Sequence, residues 1–75
     1  MERFEDNGIN YWILIDDAVD ANHHHGFIAY YNDKEPKESC LGLSVKDDQN
    51  RTVFFISKPV AIQAAEDAIK AIKHK

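Results

Sequence analysis

Apolar positions near the end of the chain recur with the period of an α-helix. One stripe of this helix contains Ile62, Ala65, Ile69 and Ile72, with Ala61 and Ala68 beside it. The opposite side is polar and contains Gln63, Glu66, Lys70 and Lys73. Ser57 is a suitable N-cap, and Pro59 stands in the first turn, where its missing N–H costs nothing. The pattern predicts a helix over residues 57–75 that packs by its apolar stripe.

The alternating period of a β-strand covers residues 9–16. Alternation places Ile9, Tyr11, Ile13 and Ile15 on one face, and Asn10, Trp12, Leu14 and Asp16 on the other. The first face is the more apolar, so we expect it to contact the helix. Trp12 and Leu14 make the second face unusually apolar as well.

Turn signals divide the remaining chain into short strands. Asn7-Gly8 suits a type I′ turn, which would pair residues 3–6 with 9–12 and set Phe4 opposite Tyr11. Polar, aperiodic residues 16–26 and 32–39 are expected to be loops, and residues 47–50 a hairpin turn. Further strands are predicted at 27–31, 40–45 and 52–56, with Leu41, Leu43 and Val45 pointing inward.

These elements predict an α+β fold, in which an antiparallel meander of four or five strands precedes one C-terminal helix packed on one face. The 75 residues form one small domain over 1–75. A domain of this size buries only about 60% of its unfolded surface. We therefore expect a marginal core that gains from association with a partner.

Cysteine content and hydropathy narrow the class of protein. The single cysteine, Cys40, excludes an internal disulfide. No apolar run approaches the about 20 residues of a membrane span, and residues 1–6 lack the layout of a signal peptide. We expect a cytoplasmic protein that makes no membrane contact.

The net charge of −4 is unevenly distributed. Residues 1–56 carry five basic and eleven acidic side chains, whereas residues 57–75 carry four lysines and two acids. An acidic body argues against nucleic acid as the main ligand, because phosphate contacts provide most of such affinity. A nucleic-acid-binding module that uses Lys58, Lys70 and Lys73 of the helix remains an alternative.

The histidine triplet raises a second alternative, a metal-binding domain. His23, His24 and His25 lie close in sequence to Asp16, Asp17, Asp20 and Asn22, and imidazole and carboxylate are good zinc ligands. Adjacent side chains of an extended segment point to opposite sides, however, and the spacing of a calcium loop is missing. We predict a solvated polar loop, with no metal and no other cofactor.

No catalytic constellation is visible. Cys40 has no basic neighbour and no elbow motif around it, so we interpret it as a small apolar strand residue rather than a nucleophile. We predict that the protein is not an enzyme.

The sequence contains more aromatic residues than one small core needs. Phe54 and Phe55 must point to opposite faces of a strand, and a single helix covers only one face. We expect a non-enzymatic protein-interaction or regulatory module whose partner is another protein, most simply a second copy in a homodimer. The predicted partner-binding residues are Trp12, Leu14, Tyr31 and Phe54.

Two segments resemble known domains. Ser57-x-x-x-Ala61 with Ala65-x-x-Ala68-Ile69 resembles the C-terminal helix of HicB-type antitoxin domains, and residues 26–30, Gly-Phe-Ile-Ala-Tyr, are similar to their second strand. The same helix is similar to the last helix of double-stranded-RNA-binding domains. The resemblance implies a related sheet-and-helix architecture. It implies no binding residues, because Val60 replaces the acid of the antitoxin pattern and Lys58 is the only lysine at the helix start.

Overall fold

A four-stranded antiparallel sheet with one helix forms the fold. The computed structural model describes residues 2–37 and 40–72. The strands follow one another across the sheet in the order β1-β2-β3-β4. The elements are β1 (Glu2–Asp6), β2 (Ile9–Val19), β3 (His25–Asn32), β4 (Leu43–Ser44) and α1 (Lys58–Lys70). The predicted α+β class, with a meander followed by a C-terminal helix, is confirmed.

The first hairpin matches its prediction. Asn7 and Gly8 have φ angles of 54° and 80°, as a type I′ turn requires. The register sets Phe4 opposite Tyr11. Because a two-residue turn leaves one register only, this turn determines which residues of β1 and β2 share a face.

The hairpin between β2 and β3 is longer than the sequence indicates, and the predicted loop over residues 16–26 is wrong at both ends. Pairing continues as far as Val19 opposite His25. The turn is short because the Asp20 carboxylate accepts hydrogen bonds from the backbone N–H groups of Asn22 and His24, at 2.8 and 2.9 Å. Cross-strand backbone hydrogen bonds make the polar residues 16–18 extended, although their composition favours a loop.

The last part of the sheet also differs from its prediction. Only Leu43–Ser44 of the predicted strand 40–45 forms a strand, and residues 52–56 do not form one. Instead, Phe55 exchanges two backbone hydrogen bonds with Phe27, both of 2.8 Å, while the Val45 N–H donates to the Ala29 carbonyl. The two segments therefore lie end to end along β3, and they pair with each other where they meet, through the Lys46–Thr52 bridge and the hydrogen bond from the Val53 N–H to the Val45 carbonyl.

Residues 46–52 project from this edge of the sheet as a small hairpin, as the predicted turn over 47–50 requires. The Asp47 carboxylate accepts from the N–H groups of Gln49 and Arg51, at 2.9 and 3.0 Å. Asn50 takes a φ of 64°. The same hydrogen bonds and a φ of 62° at His23 occur in the Asp20 turn, so an aspartate organises both turns by the same means.

Helix α1 begins where predicted and ends earlier. The Ser57 hydroxyl accepts from the Val60 N–H at 3.4 Å, and Pro59 stands in the first turn. The helix ends at Lys70, since the Ala71 N–H is shared between two carbonyls and Ile72 makes a tighter turn. The predicted extension to residue 75 is wrong at residues 71–72 and lies outside the described residues from 73 onward.

The core lies between α1 and one face of the sheet, here called the inner face. As predicted, Tyr11 and Ile13 of β2 lie on this face. Ala61, Ala65 and Ile69 of the helix are fully buried against it. Small alanines allow a close approach between helix and sheet. The complete set of buried core residues is Tyr11, Ile13, Ala29, Val45, Ala61, Ala65 and Ile69.

The inward orientation predicted for 41–45 holds for Val45, which is buried, and for Leu43, which shares the inner face with Tyr31 but is not covered. Leu43 pairs with Tyr31 and is 62% exposed. The physical reason is that α1 ends before it reaches this corner of the sheet.

Candidate interaction surface

Apolar side chains also cover the face of the sheet that points away from the helix, here called the outer face. Residues directly opposite each other in an antiparallel pair share a face. Leu14 is paired with Tyr30, and Asp16 with Ile28, while Trp12 precedes Leu14 by two residues. All four apolar side chains are half-buried, and none belongs to the core.

Phe54 completes this surface at its far end. Its ring lies over Gly26, so closely that a Cβ atom at that position would overlap the ring and the Phe55 carbonyl. Gly26 pairs with Ala18 on the outer face. Phe55 packs instead against the core. The prediction that the two phenylalanines point to opposite faces is confirmed.

Together these side chains form a continuous surface, which we call the outer apolar surface, defined by Trp12, Leu14, Ile28, Tyr30 and Phe54. Its length corresponds to six residues of β2, or about 20 Å. Among residues 2–37 and 40–72, no helix or strand packs over it. It is thus the largest cluster of aromatic side chains that the described fold leaves outside its core.

Three of the four predicted partner-binding residues, Trp12, Leu14 and Phe54, belong to this surface. Tyr31 does not, because it pairs with Ile13 on the inner face. Tyr30 takes its place. Sequence reasoning missed Tyr30 and Ile28, since alternation over residues 27–31 is ambiguous and only the register with β2 assigns the faces.

Charged side chains of opposite sign lie on the two sides of Leu14 on the outer face. The Arg3 guanidinium lies 5.1 Å from the centre of the Trp12 ring. Asp16 lies further along β2, beyond Leu14, and is exposed. Arg3 pairs with Trp12, and four residues of strand place Trp12 and Asp16 about 14 Å apart. Such an arrangement is self-complementary when two copies face each other in opposite directions.

The edges of the sheet are less suited than its outer face to association with a second chain. Strand β1 carries Glu2, Arg3, Glu5 and Asp6 at one edge. It pairs with β2 only as far as Ile13, so residues 15–19 have no partner on that side within the described chain. Exposed acids occur there too, at positions 16 and 17. Charged edges resist the addition of a further strand.

The histidine triplet forms the tip of the β2–β3 hairpin. His24 Nδ1 lies 3.4 Å from the Asp20 carboxylate, and all three histidines are exposed. Within residues 2–37 and 40–72, no three His, Cys, Asp or Glu side chains are grouped so that they could hold one metal ion.

The helix lysines are separated in space. Lys58 Nζ lies 5.7 Å from the centre of the Phe27 ring, and Lys70 Nζ lies 5.7 Å from the centre of the Phe4 ring. Twelve residues of helix place these lysines about 18 Å apart. They do not form a compact basic patch, and Lys73 lies outside the described residues.

Comparisons with known proteins add no family to this description. The chain matches no protein-family model, and searches of curated proteins and solved structures returned no similar protein. The resemblance to HicB-type and double-stranded-RNA-binding domains therefore stays a prediction. Helix α1, with 13 residues, is shorter than the about 20 residues that cross a bilayer, and the described residues include no longer helix.

Proposed function

We propose that this protein is a non-enzymatic interaction module that binds a second copy of itself through the outer apolar surface. The observation that carries the proposal is the position of Trp12, Leu14, Tyr30 and Phe54, which lie on the face opposite the helix and outside the core. Burying such a surface is favourable by about 25 cal/mol for each square ångström removed from water.

Charge favours a second copy over an unrelated partner. A two-fold axis near Leu14 would bring Arg3 of one copy to Asp16 of the other, and the reverse pair would form by symmetry. The acidic side chain of each copy would then face the basic side chain of the other copy. The same contact excludes a parallel arrangement, in which like charges would face each other.

The size of the surface predicts weak association. Three rows, formed by β2, β3 and the segments that lie end to end beside β3, are about 4.8 Å apart and about 20 Å long. They present roughly 300 Å², less than half of the about 800 Å² that each partner buries in a standard interface. We therefore expect a monomer–dimer equilibrium with a dissociation constant of about 10 μM or weaker.

Sedimentation equilibrium tests the proposal between about 10 and 500 μM, a range that brackets the expected constant. The wild-type mass should rise toward that of a dimer, and Trp12→Ala should remain monomeric. Val60→Ala is the matched control, because Val60 is 57% exposed on the helix, away from this face. A monomer mass for the wild type throughout the range would contradict the proposal.

Charge-reversal variants, measured by the same sedimentation experiment, test the proposed contact across the two-fold axis. Arg3→Glu and Asp16→Arg should each weaken association, because each places like charges across the two-fold axis. The double variant should restore it. Equal loss in all three variants would show that the two residues do not meet, and the axis would have to be placed elsewhere on the face.

Nucleic-acid binding through the helix lysines is the less supported alternative. Lys58 and Lys70 lie over separate rings at the two ends of α1, and the sheet side of the chain is acidic. A contact made by such isolated cations would weaken steeply with salt. Selective binding of duplex RNA at physiological salt in a gel-shift assay would favour this alternative instead.

A further inference from the structure

An open groove lies on the inner face, at the corner that α1 leaves uncovered. Its volume is about 470 Å³, which falls in the usual range for small-molecule sites. Apolar side chains from three parts of the chain form its walls, namely Ile9 from β2, Leu43 from β4 and Ile72 beyond the helix. Tyr11, Tyr31 and Asp33 also line the groove, and Asp33 is exposed.

Tyr11 is the unusual residue of this groove. Its side chain is only 5% exposed, yet the structure shows no hydrogen bond from its hydroxyl to any residue in 2–37 or 40–72. Buried polar groups are almost always paired. No described side-chain oxygen that is sealed from solvent lacks a partner, which fits a Tyr11 hydroxyl that opens into the groove that this residue lines. A hydroxyl in this position is ready to bond to a ligand.

Two carboxylates act on this hydroxyl. The pKa of Tyr11 is raised, first because burial disfavours the phenolate and then because the carboxylates of Asp6 and Asp33 repel it. The Tyr11 side chain therefore stays a neutral phenol, which both donates and accepts hydrogen bonds.

We propose that this groove binds a small organic amine, with its ammonium group beside Asp33 and the Tyr11 hydroxyl and its apolar body against the walls. The ammonium would donate a hydrogen bond to the hydroxyl and pair with the carboxylate. The tyrosine rings favour a cation on their faces. Leu43, 62% exposed in the free protein, would cover the apolar body of the ligand.

Three probes of equal chain length test the proposal by NMR titration of the full chain: hexylammonium, hexan-1-ol and hexanoate. Hexylammonium should bind about tenfold more tightly than hexan-1-ol, which corresponds to one charge-assisted hydrogen bond, and hexanoate should not bind. The shifts should map to Tyr11, Tyr31 and Leu43. Equal affinity for the three probes, or shifts elsewhere, would overturn the proposal.

Variants of the groove residues distinguish the contribution of charge to ligand binding from that of the apolar walls. Asp33→Asn should remove most of the preference for hexylammonium over hexan-1-ol while leaving hexan-1-ol binding unchanged. Tyr11→Phe should weaken hexylammonium alone. Asp48→Asn, an exposed change in the turn of the projecting hairpin, is the control and should have no effect. An unchanged preference in Asp33→Asn would contradict the assigned role of that carboxylate.

The single thiol provides a second measurement. Cys40 is exposed and lines the groove, so bound hexylammonium should slow its alkylation by iodoacetamide, and hexanoate should not. The groove and the outer apolar surface lie on opposite faces of the sheet. The groove proposal therefore stands or fails independently of self-association, which these variants should leave unchanged.

Discussion

The two faces of the sheet are built from the same strands, yet only one is sealed. On the inner face, Ile13 and the helix residues Ala65 and Ile69 are at most 1% exposed. On the outer face, Leu14 and Tyr30 occupy equivalent positions one residue away and remain half-buried. Alternation supplies large apolar side chains to both faces. The difference arises because, within residues 2–37 and 40–72, a helix covers the inner face and no helix or strand covers the outer one.

Side-chain size explains how each face is arranged. Ala29 of β3 and Ala61 of α1 are fully buried, which allows the helix to approach the sheet closely. Outer-face contacts are made by large rings, as where the Phe54 ring lies over Gly26. The inner face thus contains the core of the fold, whereas the outer face leaves aromatic area outside the core.

Of the variants that compare the two faces, Ile69→Asp on the inner face should lower the free energy of unfolding most. This change places an unpaired carboxylate in the core and removes a fully buried side chain, at a cost of at least about 4 kcal/mol. A chain of this length has about 4–11 kcal/mol of stability in total. Thermal melting followed by circular dichroism should show a largely unfolded protein.

Lys70→Asp is the matched control for this prediction. It is exposed, and it loses only the contact with the Phe4 ring and a favourable charge at the helix C-terminus, about 1 kcal/mol. Equal stability of the two variants would show that α1 does not dock by its Ile69 face.

A smaller effect is expected for Gly26→Ala on the outer face. The new methyl group would overlap the Phe54 ring and the Phe55 carbonyl, and such overpacking costs about 1–3 kcal/mol. Urea denaturation measures the change. In a Phe54→Ala background part of the cost should disappear, because one of the two overlapping groups is gone. An identical cost in both backgrounds would mean that the ring does not cover Gly26.

The smallest effect on stability should follow from Leu14→Asn. Leu14 is half-buried beside Tyr30 and outside the core, so we expect a loss of about 1 kcal/mol in urea denaturation. The proposed self-association, by contrast, should be strongly weakened. A loss of stability as large as that of Ile69→Asp would show that the outer face is sealed in the monomer.

Local chemistry accounts for the parts of the fold that could be predicted from the sequence alone. The Asn7-Gly8 turn, the two faces of residues 9–15 and the Ser57 cap each depend on residues close together in the chain. Such features need no distant partner to be specified. The α+β class followed from them, and so did the placement of Trp12 and Leu14 on the face away from the helix.

Features that depend on distant contacts were decided by the tertiary structure. Residues 16–19 are strand because β3 pairs with them, against their own polar composition. Tyr30 rather than Tyr31 joins the outer apolar surface because the register with β2 assigns its face. Leu43 is exposed because α1 ends at Lys70, and the groove around Tyr11 exists for the same reason. In each case the side chain is given by the sequence, whereas its surroundings depend on how a distant strand pairs or where the helix ends.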